Sequence, residues 1–524
     1  MRTLSRVALL LGAAIASGWL YGLAFPPARL QWLAWVALVP LLCTLRAAGG
    51  TAAALLNALA FTVASSWVTG HWFPRTVAEY FGQGPLIGMA SFVAVSTLMG
   101  GPGVCAFALA YRALARRAGG ALPLLAAAAW VGGELARARL LTGNPWILLG
   151  TSQLGVDRLV QISDLTGVYG VSFVLAAVNA ALAELVLATA TGAPRRWAGP
   201  ASVAALVGAV LLYGQARLAA YPADPAGGVE VAVVQPNIDF GTQWKQEMYG
   251  QNLQLVMNPT LEVLRRAAPR LIVWPESAVT FDVARDANYR AAIANALRYR
   301  QAQLILGAPH RDVRRDDAPV YNSAFLLAPD GAVLGRYDKR QLLPFAEYPP
   351  LPSVAVLRRD FGGVPGFTAG APRLPLPTVA GRAGILICNE AMFSPLAGER
   401  VRAGAQLLIN LSNDSWVNDV TFSEIVFNMV AFRAIEQRRW LLRSSTSGPS
   451  GIVDPAGRVT VRTTPFTRTA ALGRVAPRDE VTVYGRWGDW FPFACVAVVG
   501  VVLTMRRVAR KPVGPAPKLP HAAP

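Results

Sequence analysis

Apolar residues fill the first 219 positions in long blocks, at roughly 7–25, 31–45, 52–69, 85–111, 121–135, 168–190 and 200–218, and one more block follows at 490–505. Most approach the ~20 residues that a bilayer-spanning helix requires, so about eight membrane helices are predicted. The block at 121–135 is short, and Gly100, Gly101, Pro102 and Gly103 interrupt 85–111, which leaves a re-entrant or kinked form open for both. The first block, behind Arg2 and Arg6, has the outline of a cleaved signal peptide. Six further apolar blocks follow before residue 220, and an uncleaved helix fits that setting better.

Between 220 and 487 the pattern changes. Short runs of Val, Ile and Leu bounded by Gly, Pro and Asp recur in VEVAVVQ, RLIVWPE, AQLILGAP, YNSAFLLAPDG, AVLGRYDK, AGILICNE, AQLLINLS and SGIVDPAG, and they read as buried strands. NPTLEVLRRAA and YRAAIANALRYRQ between them have helical spacing. An α/β domain with its sheet covered by helices follows. The expected division is a membrane domain at 1–219, the α/β domain at 220–487, a C-terminal span at 488–506 and a basic tail at 507–524, disordered because it is rich in proline.

Composition supports the membrane reading, because 53% hydrophobic residues and a mean hydropathy of +0.38 exceed what an ordinary soluble domain carries, and 15% charged residues fall short of it. Charge adds direction. With the N-terminus inside, the inner loops hold Arg46, then Arg112, Arg116 and Arg117, then Arg195 and Arg196, and the tail holds Arg506, Arg507, Arg510 and Lys511. Basic residues are retained on the cytoplasmic side, so residues 220–487 are expected on the outer face. The net charge of +19 is then a topology signal plus contact with anionic lipid, and nucleic acid is not needed to explain it.

Candidate chemistry centres on GRAGILICNEAMF, residues 381–393. Cys43, Cys105 and Cys495 lie in predicted spans, and Cys388 alone lies in the outer domain, with no disulfide partner there. On position alone its thiol reads equally well as a small buried hydrophobe or as a reactive group. His310 is the one histidine in that domain and follows a strand, where capping explains it, so a carboxylate is the better candidate base. Glu276 follows the run RLIVWP, Lys339 ends AVLGRYD, and Glu347 lies eight residues further on. Singly, Glu276 reads as a solvated turn residue, Lys339 as part of a surface charge cluster with Asp338 and Arg340, and Glu390 as a strand-end residue facing water. Together Glu, Lys and Cys at three strand ends suit acyl transfer as base, oxyanion stabiliser and nucleophile, with no metal or cofactor called for.

VWPES, YDKRQLLPFAEY and ILICNE resemble the three motifs of the nitrilase superfamily, in that family's order. The attached spans narrow the resemblance to the apolipoprotein N-acyltransferase family. YGLAFPPARLQWLAWVALVPLL, GNPWILLGTSQ, LTGVYGVSFVLAAVNAAL, VVQPNIDFGTQW and the long stretch at 410–459 are similar to it too, so nearly the whole chain is covered. The resemblance implies an αββα sandwich with Glu276 as general base, Lys339 as oxyanion donor and Cys388 as nucleophile. Its supporting residues fall on Trp244, Glu347 and Glu390, with Asn322 a further candidate. Asn389 stands where the family often has tyrosine, although its backbone N–H could still serve an oxyanion. FSEIVFNMVAFRAIE also lacks the histidine often found there.

The resemblance further implies a phospholipid acyl donor, a thioester on the cysteine, and a diacylglyceryl-cysteine lipoprotein whose α-amine accepts the chain. A multi-pass protein of a bacterial inner membrane, facing the periplasm and monomeric, is expected. Residues 341–367 read equally as a lid over the acyl chains or as a connector. The rival functions are a membrane-tethered amidohydrolase, in which water is the acceptor, a transporter with an appended domain, and an inactive nitrilase-like scaffold, against which the retention of all three triad residue types argues. The scarcity of ionisable residues in the spans, Glu134 being the main exception, weakens the transporter.

Overall fold

The structure is a computed structural model that describes residues 2–80, 82–192, 194, 197–221, 227–312, 318–348 and 366–505. All eight apolar blocks are helical, but unequally. Among the described residues six helices are long and apolar enough to cross a bilayer: Ser5–Leu23, Thr51–Gly70, Pro85–Leu114, Gly119–Arg139, Val168–Thr191 and Ala198–Ala219. Gln31–Ala47 and Trp490–Thr504 are shorter.

The block at 31–45 is therefore not one long helix. A 3₁₀ turn, Gln31–Trp35, ends at a non-helical Val36, and a second helix, Val39–Ala47, starts with Pro40 in its first turn. Proline lacks an N–H and suits the beginning of a helix better than its interior. The glycine-interrupted block stays helical through a π turn at Ser96–Gly100, so it is bulged rather than re-entrant. The short block at 121–135 belongs to a full-length helix of 21 residues. Its polar end hid that length, because Glu134 is buried and accepts from Trp130 Nε1 at 3.1 Å and from the Leu149 N–H at 2.7 Å.

Beyond the bundle, twelve strands are described: β1 (Val229–Gln235), β2 (Leu271–Val273), β3 (Gln303–Arg311), β4 (Val320–Leu327), β5 (Val333–Asp338), β6 (Leu376–Thr378), β7 (Gly381–Ile387), β8 (Leu407–Ser412), β9 (Leu441–Ser445), β10 (Gly451–Val453), β11 (Val459–Arg462) and β12 (Thr469–Val475). They form two six-stranded sheets, ordered β12-β1-β2-β3-β4-β5 and β11-β10-β9-β8-β7-β6. The central pairs β1–β2, β2–β3, β7–β8 and β8–β9 are parallel.

Alternation along the central strands builds the layers. Val231, Val233, Leu271 and Val273 meet Ile385, Ile387, Leu407 and Ile409 between the sheets. Ala232, Val234, Ile272 and Trp274 point the other way, to helices Tyr249–Arg266 and Ala287–Arg298. Leu386 and Leu408 likewise face helices Ser394–Arg402 and Val420–Gln437. The result is an αββα sandwich.

The last of these helices joins the two halves of the molecule. Ile425, Met429, Phe432 and Ile435, spaced as one helical stripe, pack into the membrane bundle, while Val426, Val430 and Ala434 pack on the second sheet. At its end Arg438 is fully buried, and its guanidinium donates to Asp164 Oδ2 at 2.7 Å and to Gln161 Oε1 at 2.7 Å.

Candidate active site

The three residues singled out in the sequence sit at the carboxyl ends of strands, where α/β sheets gather their catalytic groups. Glu276 lies just past β2, Lys339 immediately after β5, and Cys388 immediately after β7. Glu276 and Lys339 thus come from one sheet and Cys388 from the other. Lys339 is 1% exposed and Glu276 6%, so the polar groups between them face each other and not water.

Lys339 Nζ lies 2.8 Å from Glu347 and 3.5 Å from Glu276. Asn322 on β4 fixes both carboxylates, donating through Nδ2 to Glu276 at 2.8 Å and to Glu347 at 2.9 Å. Glu347 also accepts from the Leu343 N–H at 2.7 Å, closing its own loop. Trp244 packs on Phe367 at the rim, with ring centroids 6.3 Å apart.

Protonation states follow from this packing. Burial pushes the Glu276 carboxyl up, Lys339 pulls it back, and the like charge of Glu347 adds to the rise, leaving it above the usual glutamate range. Burial alone would lower the lysine, but Glu347 and Glu276 outweigh it and hold Lys339 firmly as an ammonium. The Cys388 thiol is driven well above its ordinary value by burial and by the Glu276 carboxylate, against the opposing Lys339 charge. The site thus sets a thiol that resists ionisation beside a carboxyl group with a raised proton affinity and a fixed cation. Such a set can attack a carbonyl only if the carboxylate takes the thiol proton during the attack.

Cys388 has a φ of +53°, the left-handed region that a residue with a Cβ rarely adopts. The sharp turn ends β7 and starts a 3₁₀ turn, Cys388–Met392, which puts the thiol at the tip. Glu390, fully buried in that turn, holds it in place. One of its oxygens accepts from Tyr337 Oη at 2.8 Å and from the Arg340 and Gln341 N–H groups at 2.8 and 3.2 Å; the other accepts from the Ile387 N–H at 2.8 Å. It therefore ties the chain after Lys339 to the chain before Cys388. Asn389 is buried, and its side-chain oxygen has no partner among the described residues.

Several supporting residues were not visible in the sequence. Arg400 donates to Tyr337 Oη and to the Ile385 carbonyl, and its guanidinium lies 4.7 Å from the Tyr337 ring centre. Asn410 on β8 donates to the Leu386 and Cys388 carbonyls at 3.0 and 3.3 Å, and Arg443 holds Asn410 and Asp414 from behind. Gly307 on β3 underlies the Glu276 turn, where a Cβ would come within 2.6 Å of Glu276 Cα and 2.7 Å of the Ser277 nitrogen. Arginines inside apolar stretches such as RRWLLRSS were the one available signal for some of these.

His310 stands apart from this group. It lies between Asp282 and Asp312 at 3.2 and 3.1 Å and lines neither cavity around Cys388. No cluster among the described residues is arranged to hold a metal.

Two cavities meet at Cys388. One of about 50 Å³ holds Glu276, Lys339, Glu347, Trp244 and Phe367. The other, about 270 Å³, runs from Cys388 and Asn389 past Trp146 and Phe422 to Trp72 and Phe92 on the membrane helices. The thiol is thus reached from the bundle side through an aromatic passage. Of the 341–367 loop, 349–365 lie outside the described residues, while its flanks Leu343 and Phe367 line these cavities.

Comparison with known proteins gives two family matches. The "Apolipoprotein N-acyltransferase N-terminal domain" matches residues 17–181, and "Carbon-nitrogen hydrolase" matches residues 230–479. The chain is 34% identical over 507 residues to an apolipoprotein N-acyltransferase of Geobacter metallireducens, covering 94% of each chain. It is 33% identical to one of Azotobacter vinelandii, over 96% of this chain and 89% of the relative. A third, from Gloeobacter violaceus, is 30% identical over 94% of this chain and 93% of its own length.

Proposed function

The chain belongs to the apolipoprotein N-acyltransferase family and is an acyltransferase of lipoprotein N-acylation; from that premise we propose that Cys388 carries the acyl group as a thioester between two half-reactions. Phospholipid is the donor, and the acceptor is the α-amine of a diacylglyceryl-cysteine lipoprotein. The observation that carries this reading is the placement of Cys388 where the small charged cavity opens into the aromatic passage from the bundle.

In the first half-reaction the Cys388 sulfur attacks the donor's ester carbonyl while Glu276 takes the thiol proton. The oxygen of the tetrahedral intermediate becomes negative, and the Lys339 ammonium stabilises it, with the Asn389 N–H as a second donor. Losing one such donor typically costs ~3–4 kcal/mol in the barrier. As the ester C–O bond breaks, Glu276 returns its proton to the leaving lyso-phospholipid alcohol. In the second half-reaction Glu276 takes a proton from the acceptor amine as it attacks the thioester, and as the C–S bond breaks Glu276 returns that proton to the leaving sulfur, regenerating the thiol and the base.

Glu347 keeps Lys339 charged and placed, and Asn322 keeps the two carboxylates apart. Glu390 sets the Lys339 loop against the Cys388 turn, and Trp244 with Phe367 shields the thioester from water. The division at 219, 487 and 506, with the α/β domain facing the periplasm of a bacterial inner membrane and the protein acting as a monomer, belongs to the same proposal. Its support is that Arg6, Arg46, Arg116 and Arg117 gather at one end of the bundle.

Incubation with a phospholipid and a diacylated lipopeptide tests the reading. N-acylated peptide and lyso-phospholipid in equal amounts are expected. Free fatty acid with an unmodified amine would make the protein a hydrolase instead.

A further inference from the structure

The end of the bundle where the arginines gather contains a cavity of about 800 Å³ that acyl transfer does not use. Its rim is built from six helix ends: the starts of Ser5–Leu23, Gly119–Arg139 and Ala198–Ala219, and the ends of Gln31–Ala47, Pro85–Leu114 and Val168–Thr191. Among the described residues Arg6, Arg46, Arg116 and Arg117 line it, against the single carboxylate of Glu184.

Glu184 lies seven residues before the end of its helix at Thr191, which at 1.5 Å per residue sets it ~10 Å below the rim. It pairs there with Arg46 at 2.9 Å, and both side chains are about one-third exposed. Arg6 donates to the Ala47 carbonyl at 3.1 Å from the other side. Arg117 is exposed and has no carboxylate partner among the described residues. Part of the lining is hydrocarbon, with the buried Leu122 beside Leu185 and Leu187. Topology alone requires basic residues at such an end, but it does not require a hollow of ligand size between them with leucines in its lining.

We propose that this cavity binds an anionic phospholipid of the leaflet opposite the catalytic domain. The phosphodiester sits among Arg46, Arg117 and Arg6, and the first carbons of an acyl chain lie along Leu122 and Leu187. Four cations against one anion favour a lipid of net negative charge over a zwitterion. The leucines beside the arginines favour a lipid over free phosphate. Each arginine near an anionic head group contributes about fivefold in affinity.

Native mass spectrometry of delipidated full-length protein in neutral detergent, titrated with phosphatidylglycerol, phosphatidylcholine or inorganic phosphate, tests the proposal. The comparison is between wild type and an Arg46→Gln/Arg117→Gln variant. Lipid held in the catalytic cavity is present in both proteins and cancels in the difference. Wild type should retain one more phosphatidylglycerol than the variant, with about 25-fold tighter binding at that position. Phosphatidylcholine should show no such difference, and phosphate at equal concentration should not displace the lipid. N-acylation of lipopeptide in detergent should be the same in both, which verifies that the variant is folded. If it is not, Arg117→Gln alone should still show about a fivefold loss. Equal phosphatidylglycerol retention in wild type and variant, an equal loss of phosphatidylcholine, or displacement by phosphate would each overturn the proposal.

Discussion

Glu276→Gln separates the roles assigned around Cys388, because the geometry isolates what the substitution removes. Glutamine still offers an oxygen to Asn322, which now donates to Glu276 at 2.8 Å, and Lys339 keeps Glu347 at 2.8 Å, so the cation stays charged and in place. What is lost is the proton acceptor. General-base removal slows a step by about 10²–10⁴-fold, or about 3–5 kcal/mol of barrier. The loss should fall on the first half-reaction, read by rapid quench as acyl-enzyme formed from phospholipid alone. A second readout should move the other way. The Glu276 carboxylate is, after burial, the largest influence raising the Cys388 thiol, so the variant's thiol should ionise at lower pH than wild type and alkylate faster with iodoacetamide under alkaline conditions. Slower acylation with faster alkylation distinguishes a lost base from a damaged site, which would slow both. Acyl-enzyme formation at the wild-type rate would refute the reasoning, and Glu347 would become the candidate base.

The pH dependence of acyl-enzyme formation should show an acid limb above the ordinary glutamate value of ~4.3, since a raised carboxyl loses its base form as pH falls through that higher value; Glu347→Gln should move the limb to lower pH by removing a like charge, as read from single-turnover rates. Gly307→Ala should reduce acylation by about 10²-fold with the protein still folded, because the new methyl meets backbone atoms of the Glu276 turn, and misplacement by ~1 Å is worth that much. Arg438→Ala should destabilise the joint between the two halves by about 3 kcal/mol, the low end for breaking a buried pair, since Asp164 keeps Arg217 at 2.9 Å; a lowered Tm in detergent checks it.

Hydropathy and strand-end chemistry made much of this molecule legible in the sequence. Apolar blocks of helix length, and continuous Val-Ile-Leu runs ending in Glu276, Lys339 and Cys388, carry their meaning locally, because a lipid-facing helix or a buried strand must be apolar throughout. β2 was read longer than it is, since the chain leaves the sheet at Trp274 to form the Glu276 turn. β9 and helix Val420–Gln437 were not predicted. Their polar residues Arg443, Glu436 and Arg433 look like surface, yet each is buried against a partner distant in sequence or one turn away. Pairings such as Arg438 with Asp164 join positions that local pattern cannot connect. Tyr337, Arg400 and Gly307 have no chemical signature at all, and only the folded register gives them their places beside Glu390 and Glu276.

The central claim is that Cys388 holds the acyl chain. Purified protein incubated with phospholipid alone, digested and analysed by mass spectrometry, should carry one fatty acyl group in thioester linkage on the peptide containing Cys388. Neutral hydroxylamine should remove it, a diacylated lipopeptide should discharge it into the peptide's amine, and Cys388→Ala should never acquire it. An enzyme that N-acylates lipopeptide at full rate with Cys388 unmodified throughout, or with Cys388→Ala still active, would contradict the account.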